Sequence, residues 1–126
     1  MKATIEIAEL LFKEAKFEET IDTCKIILSI EKNSFEAFKL IAMSYMAIRK
    51  IEDAHLFFNK ALDIKPDDYQ IIKDIGNTYQ AIGDEESAKK YYQKAIAING
   101  CYAPALINLG SIELKSGRKE EALSLF

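Results

Sequence analysis

The sequence predicts an all-α protein made of stacked antiparallel helix pairs, and three observations predict it. Residue types return at a fixed spacing of 34 positions: Ala42, Tyr45, Ala54, Phe58 and Ala61 are followed by Gly76, Tyr79, Ala88, Tyr92 and Ala95. Apolar residues recur at three- and four-residue steps along nearly the whole chain, the period of an amphipathic helix. Short clusters rich in Asn, Asp, Gly or Pro punctuate these stripes at regular places. A period between about 20 and 50 residues marks a repeat protein whose units cannot bury their apolar faces alone.

The elements follow in order. Helices are expected over 3–14, 18–31, 35–48, 52–64, 69–82, 86–98, 103–116 and 120–126. In the third block Ile72, Ile75, Tyr79 and Ile82 form one stripe, and Ala88, Tyr91, Tyr92, Ala95 and Ile96 form the next. Gly83 suits the left-handed residue that ends a helix, and Asp84 suits the cap of the one after it. A turn that short makes the two helices antiparallel. Asn33-Ser34, Lys65-Pro66-Asp67-Asp68 and Asn99-Gly100 separate one pair from the next. Pro66 has no N–H with which to continue a helix, and Asp67 or Asp68 supplies a cap. Nowhere does a period-two alternation bounded by turns suggest a strand.

Spacing also assigns packing roles. Ala8, Ala42, Gly76 and Gly110 stand mid-way along first helices, and Ala54, Ala88 and Ala122 on second helices, where larger side chains would hold the partner away. Tyr45, Tyr79, Phe58 and Tyr92 are expected to fill the space that remains.

Composition narrows the function classes. With 17 Lys and Arg against 20 Asp and Glu, the formal charge of −3 provides no basic footprint for nucleic acid. The most apolar stretch, Leu40 to Ile48, has about half the length a membrane span needs. Cys24 and Cys101 lie far apart with no CxxC pattern, so neither a disulfide framework nor a metal site is indicated and a reducing cytoplasm is the expected setting. His55 is the only histidine; without an assignable nucleophile or carboxylate partner it reads as a solvated surface residue. No phosphate loop, HExxH or GxSxG occurs. An enzyme is not expected, nor a cofactor or metal.

These residues resemble the tetratricopeptide repeat, whose signature runs large-x2-Leu-Gly-x2-Tyr, then Ala-x3-Phe, then Pro. The third block matches it as Ile72, Ile75, Gly76, Tyr79, Ala88 and Tyr92, with Gly100 in the proline's place. The second matches as Phe38, Ile41, Ala42, Tyr45, Ala54, Phe58 and Pro66. The fourth matches as Leu106, Leu109, Gly110, Ala122 and Phe126, with Glu113 where tyrosine is usual. In the first, Ile7, Ala8 and Leu11 fit, while Thr20 and Cys24 replace the alanine and the aromatic. The resemblance implies a right-handed α-solenoid forming a single array over 1–126, with three complete units (about 1–34, 35–68 and 69–102) and a truncated fourth (103–126). Phe126 falls about two turns into the eighth helix. That suggests a fragment of a longer array, or an uncapped C-terminal end through which the chain self-associates.

The resemblance also implies a concave groove lined by first helices and holding a partner peptide or helix. Carried over, the groove residues are Ile5, Glu9 and Phe12, then Glu36, Lys39, Met43 and Met46. Lys73, Asn77 and Gln80 come next, followed by Ile107, Asn108 and Ser111. Met43 and Met46 form either an adaptable patch or part of the core, and the amides either bind a peptide backbone or are merely solvated. A clamp for the acidic tail of chaperones, the family's lysine, asparagine and arginine variant, is matched only at Lys39, and Asp74 would repel a carboxylate. Its places hold Ile5, Glu9, Leu40, Gln70 and Asp74 in one register, and Lys39, Met43, Asp74, Pro104 and Asn108 in the next.

The expected function is therefore a protein–protein interaction scaffold in the cytoplasm, binding a protein or peptide but neither nucleic acid nor membrane. The alternative is the targeting or regulatory region of a larger enzyme or assembly whose other domains lie outside this chain.

Overall fold

A computed structural model describes residues 4–115, and all regular structure among them is helical. The helices are α1 (Ile5–Lys13), α2 (Phe17–Ile30), α3 (Phe35–Ala47), α4 (Ile51–Ile64), α5 (Tyr69–Ala81), α6 (Glu85–Ile98) and α7 (Ala103–Lys115). The eighth helix expected over 120–126, with Ala122, Phe126 and the self-association assigned to that end, lies outside the described residues. The chain divides into two compact units, Met1–Pro66 carrying α1–α4 and Asp67–Phe126 carrying α5–α7.

Within the pairs α1–α2, α3–α4 and α5–α6 the helices are joined by the same three-residue reversal. Asp84 donates its N–H to the Tyr79 carbonyl at 2.9 Å and Gly83 to that of Gln80 at 3.1 Å, the paired bonds of a Schellman turn. Lys16 and Ala15 repeat this on Leu11 and Phe12, and Lys50 and Arg49 repeat it on Tyr45 and Met46. The geometry needs a left-handed residue, and Gly83 supplies it as expected, with φ of 87°. At the two equivalent places stand Ala15 at 59° and Arg49 at 67°, which no local signal announced. Asp84 then caps α6, its Oδ1 accepting from the Ser87 N–H at 3.1 Å and its Oδ2 from the Ser87 hydroxyl at 2.8 Å. Those bonds hold its carboxyl below the usual carboxylate range.

The first helices begin at side-chain caps. Thr4 accepts from the Ile7 N–H, Ser34 from Ala37 and Asp68, rather than Asp67, from Ile71. The Thr4 cap starts α1 at Ile5, two residues later than the apolar pattern suggested. Second helices carry acidic pairs in their first turns, Glu18-Glu19, Glu52-Asp53 and Glu85-Glu86, on the positive end of the helix dipole.

In the first unit, Ala8, Ile21, Cys24, Ile27, Ala37, Leu40 and Ile41 form one buried cluster, with Ile5, Phe12 and Tyr45 packed against it. The substitutions that weakened the first block in sequence fit this core. Thr20 is fully buried and donates its hydroxyl to the Lys16 carbonyl at 2.7 Å. Cys24 fills the aromatic's place, and burial pushes its thiol up to about 11, which keeps it inert. His55 departs from expectation: it is half-buried on α4, and desolvation lowers its pKa.

In the second unit, Ile71, Ile72, Ile75, Ala88, Tyr92, Ala95, Ala105, Leu109 and Ile112 are buried. A Cβ added at Gly76 would lie 2.7 Å from Tyr92 Cε1, so this glycine is what allows α5 and α6 their close approach. Phe58 and Tyr92 are buried as expected, whereas Tyr45 and Tyr79 are only half-buried. They lean on Phe57 and Tyr91, with ring centroids 5.8 and 5.4 Å apart. Glu113, in the usual tyrosine position, is 3% exposed and ion-paired with Lys89 Nζ at 2.6 Å, tying α7 to α6.

Three outcomes are expected. Ala15→Gly and Arg49→Gly, both at exposed positions, should each stabilise the chain by about 0.5–1 kcal/mol, and Gly83→Ala should destabilise it by about 1 kcal/mol; thermal unfolding reads both signs. Gly76→Ala should lower stability by about 1 kcal/mol despite the better helix former, because the Tyr92 ring has nowhere to move. A double-mutant cycle with Tyr92→Leu should show that cost largely gone. Lys89→Met, which leaves a buried carboxylate without its ammonium, should destabilise by about 2–4 kcal/mol, and adding Glu113→Tyr should restore most of the urea midpoint.

Candidate functional site

The first helices of each unit present a face whose chemistry differs between the units. In the first unit, Ile5 and Phe12 are half-buried against the core, and Phe12 meets Phe17 edge-on with centroids 5.4 Å apart. Glu9 and Glu36 are exposed, while Lys39, Met43 and Met46 are half-buried. The two methionines are thus both packing and surface, which gives this face a deformable apolar character. On another side of α3, toward α4, an aromatic row runs Phe38, Phe57, Tyr45, with Lys60 Nζ 5.9 Å from the first two ring centroids.

The second unit offers amides instead. The Tyr92 ring is buried between α5 and α6, and its hydroxyl emerges at Asn77 Oδ1, 2.5 Å away, and Gln80 Oε1, 2.7 Å away. One phenolic proton serves one of these oxygens, and turning the other amide by 180° makes it a donor to the same hydroxyl. Asn108 Nδ2 donates to Asn77 Oδ1 at 3.0 Å and so links α7 directly to α5. Burial pushes the Tyr92 phenol up to about 12, keeping it a neutral donor. Asn77 Nδ2 makes no hydrogen bond among the described residues, so this amide faces outward with two donors.

Lys73 and Asp74 extend the polar face. Lys73 Nζ and Asp74 Oδ1 lie 2.7 Å apart, with about a fifth of each side chain exposed. Burial pulls the lysine pKa down, but the Asp74 hydrogen bond and charge, with help from Tyr102, leave it raised. Tyr102 also packs edge-on against Tyr69, centroids 4.8 Å apart. The Ser111 hydroxyl donates to the Ile107 carbonyl one turn back on α7, at 3.0 Å, while the Ile107 side chain is exposed.

Within the second unit, then, Asn77, Gln80 and Asn108 come together, and Lys73 and Ser111 have internal partners. Sequence reasoning missed the Tyr92 hydroxyl as the hub of the amides and Asp74 as the partner of Lys73. The tyrosine position carried a signal, because a buried tyrosine hydroxyl needs a polar partner. Cys101 is exposed and its N–H donates to Asn99 Oδ1. Among the described residues no group of three His, Cys, Asp or Glu could hold a metal ion, and no helix is long and apolar enough to cross a membrane.

Comparisons with known proteins agree with this architecture. The family model described as "Tetratricopeptide repeat" matches residues 35–68 and 74–100. Tetratricopeptide repeat protein 37 of Xenopus laevis is 26% identical over 66 residues, 52% of this chain but only 4% of that relative's length. A crystal structure of MamA superposes with a TM-score of 0.90 at 18% identity, covering 97% of this chain and 71% of the other. MamA 41-end from Desulfovibrio magneticus RS-1 gives 0.89 at 16% identity, covering 97% and 69%. The first TPR of Spaghetti (RPAP3), bound to the HSP90 peptide SRMEEVD, gives 0.83 at 20% identity and covers 89% of each chain. The repeated Schellman turn, the small-residue contacts, the family match and the shared fold lead to one assignment: this chain is a tetratricopeptide-repeat protein.

Proposed function

We propose that this chain is a protein-interaction scaffold that holds partner peptides on the faces of its first helices and performs no chemistry of its own. The observation that carries this reading is the Asn77–Asn108 bridge. It locks two carboxamides in place through the buried Tyr92, and it leaves Asn77 Nδ2 aimed outward as a preorganised donor for a peptide carbonyl. The methionine face of the first unit supplies complementary chemistry, an apolar surface that adapts to side chains of different shape. The setting proposed for this scaffold is the cytoplasm.

The ligand class differs from that of the Spaghetti (RPAP3) repeat, which is bound to a peptide ending in acidic residues and valine. Of the positions that would clamp a carboxylate, Leu40 is buried in the core and Asp74 already holds Lys73. A neutral or mixed-charge segment suits these faces better than an acidic tail. A second reading, the targeting region of a larger enzyme or assembly, is favoured by the great length of the Xenopus relative beyond the matched stretch. Expressing the full reading frame and assaying it with and without these residues separates the two.

Affinity capture on the intact chain, compared with Met43→Glu and with Asn77→Ala, tests the main reading. Partners held by the first-unit face should be lost with Met43→Glu, and those held through the amides should weaken about tenfold with Asn77→Ala. Partners retained equally by both folded variants would place binding elsewhere.

A further inference from the structure

A cleft opens in the first unit at the corner where α2 hands over to α3. Its volume is about 270 Å³, and Ile5, Ile27, Ile30, Glu31, Ser34 and Glu36 line it, with Thr4 at the head of α1. That is below the range of about 300–1,000 Å³ in which small molecules are enclosed, and it suits one or two side chains of a peptide. The floor is aliphatic: Ile27 is 8% exposed, whereas Ile30 stands 77% exposed at the rim with nothing packed over it. Ser34 is engaged in capping Ala37, so its hydroxyl does not make the cleft selective.

The rim is acidic. Glu31 and Glu36 both line the cleft, and among the described residues no lysine or arginine does and neither carboxylate is in an ion pair. α2 ends here with no basic residue in its last turn, and its terminal carbonyls oppose the positive ends of α1 and α3, which start at Thr4 and Ser34, so the acidic character of the rim comes from Glu31 and Glu36. The nearby Lys65 ammonium is directed onto the Phe35 ring, 4.2 Å from its centroid. An aliphatic floor between two uncompensated carboxylates is complementary to a cationic ligand with an apolar centre.

We propose that this corner is a second docking site, and that its occupant is an exposed peptide segment carrying one aliphatic side chain flanked by arginine or lysine. The aliphatic group covers Ile27 and Ile30 while the flanking cations pair with Glu31 and Glu36. The cleft shares Ile5 and Glu36 with the first-helix face of the same unit and includes none of the amides Asn77, Gln80 and Asn108.

Nuclear magnetic resonance titration of the intact, isotope-labelled chain tests the proposal, with acetyl-Arg-Leu-Arg-amide, acetyl-Arg-Ser-Arg-amide and acetyl-Glu-Leu-Glu-amide as probes. The first peptide should shift the amides of Ile5, Ile30, Glu31 and Glu36 with a dissociation constant on the order of 0.1–1 mM, leaving Asn77 and Asn108 unmoved. The serine peptide should bind several-fold more weakly, and the glutamate peptide should not bind. Glu31→Gln and Glu36→Gln should each weaken the first peptide about tenfold, and Ile30→Ser about fivefold, at surface positions where folding is undisturbed. Equal binding of the leucine and serine peptides would reduce the site to unspecific charge and overturn the proposal. So would shifts confined to the α5 and α7 face, or the same shifts on concentrating the chain alone, which would assign the cleft to a second copy.

Discussion

The three-residue turn inside each helix pair is the constraint on which the remaining structure depends. One residue with positive φ closes the first helix through its 6→1 and 5→2 bonds, and the next residue already begins the second helix. No length is left for the chain to wander, so the second helix runs back along the first. That turn recurs at Ala15, Arg49 and Gly83 with the period of the whole sequence. The first two adopt a conformation that glycine would take more readily, which means helix-pair packing outweighs roughly 1 kcal/mol of local backbone preference at each place.

Once the helices are antiparallel, how closely they approach is set by side-chain size. Gly76 faces the edge of the Tyr92 ring, and Ala8, Ala42, Ala54 and Ala88 are fully buried. These small residues let aromatic rings occupy the space between helices without voids. The exceptions are chemically informative. Thr20 and Cys24 replace an alanine and an aromatic with nearly apolar groups of intermediate size, and Thr20 returns its hydroxyl to its own helix. Glu113 replaces an aromatic with a charge, tolerable there because Lys89 on α6 reaches it at 2.6 Å.

The same packing prepares the surface. Tyr92 is a core residue by its ring and a surface organiser by its hydroxyl, and through it the burial of α5 against α6 fixes the positions of Asn77, Gln80 and Asn108. A preorganised amide loses less rotamer entropy on binding than a freely rotating one. Among the described residues the first unit has no such network in the same place, and half-buried methionines give its first-helix face an adaptable apolar character. Two recognition chemistries thus arise from one repeat by changing side chains while the backbone plan stays the same.

The period of 34, the helical stripes and the turn residues made the helix pairs, the role of Gly83 and the cap at the Pro66 junction readable before any coordinates, because these depend on local backbone preferences and spacing. The sequence by itself also marked Gly76, Ala54 and Ala88 as contact points and Cys24 as a buried hydrophobe. It could not show that Ala15 and Arg49 adopt positive φ, since nothing local favours it and the packed pair imposes it. Nor could it decide whether the groove amides are solvated or bonded. That depended on a phenol 15 residues from Asn77 and an amide 31 residues from it meeting at one point. The Lys73–Asp74 and Lys89–Glu113 pairings likewise gain their weight from burial, which removes the water that would otherwise solvate each charge. Tertiary structure decided these points, because the energy of a polar group depends on what surrounds it once water has been removed.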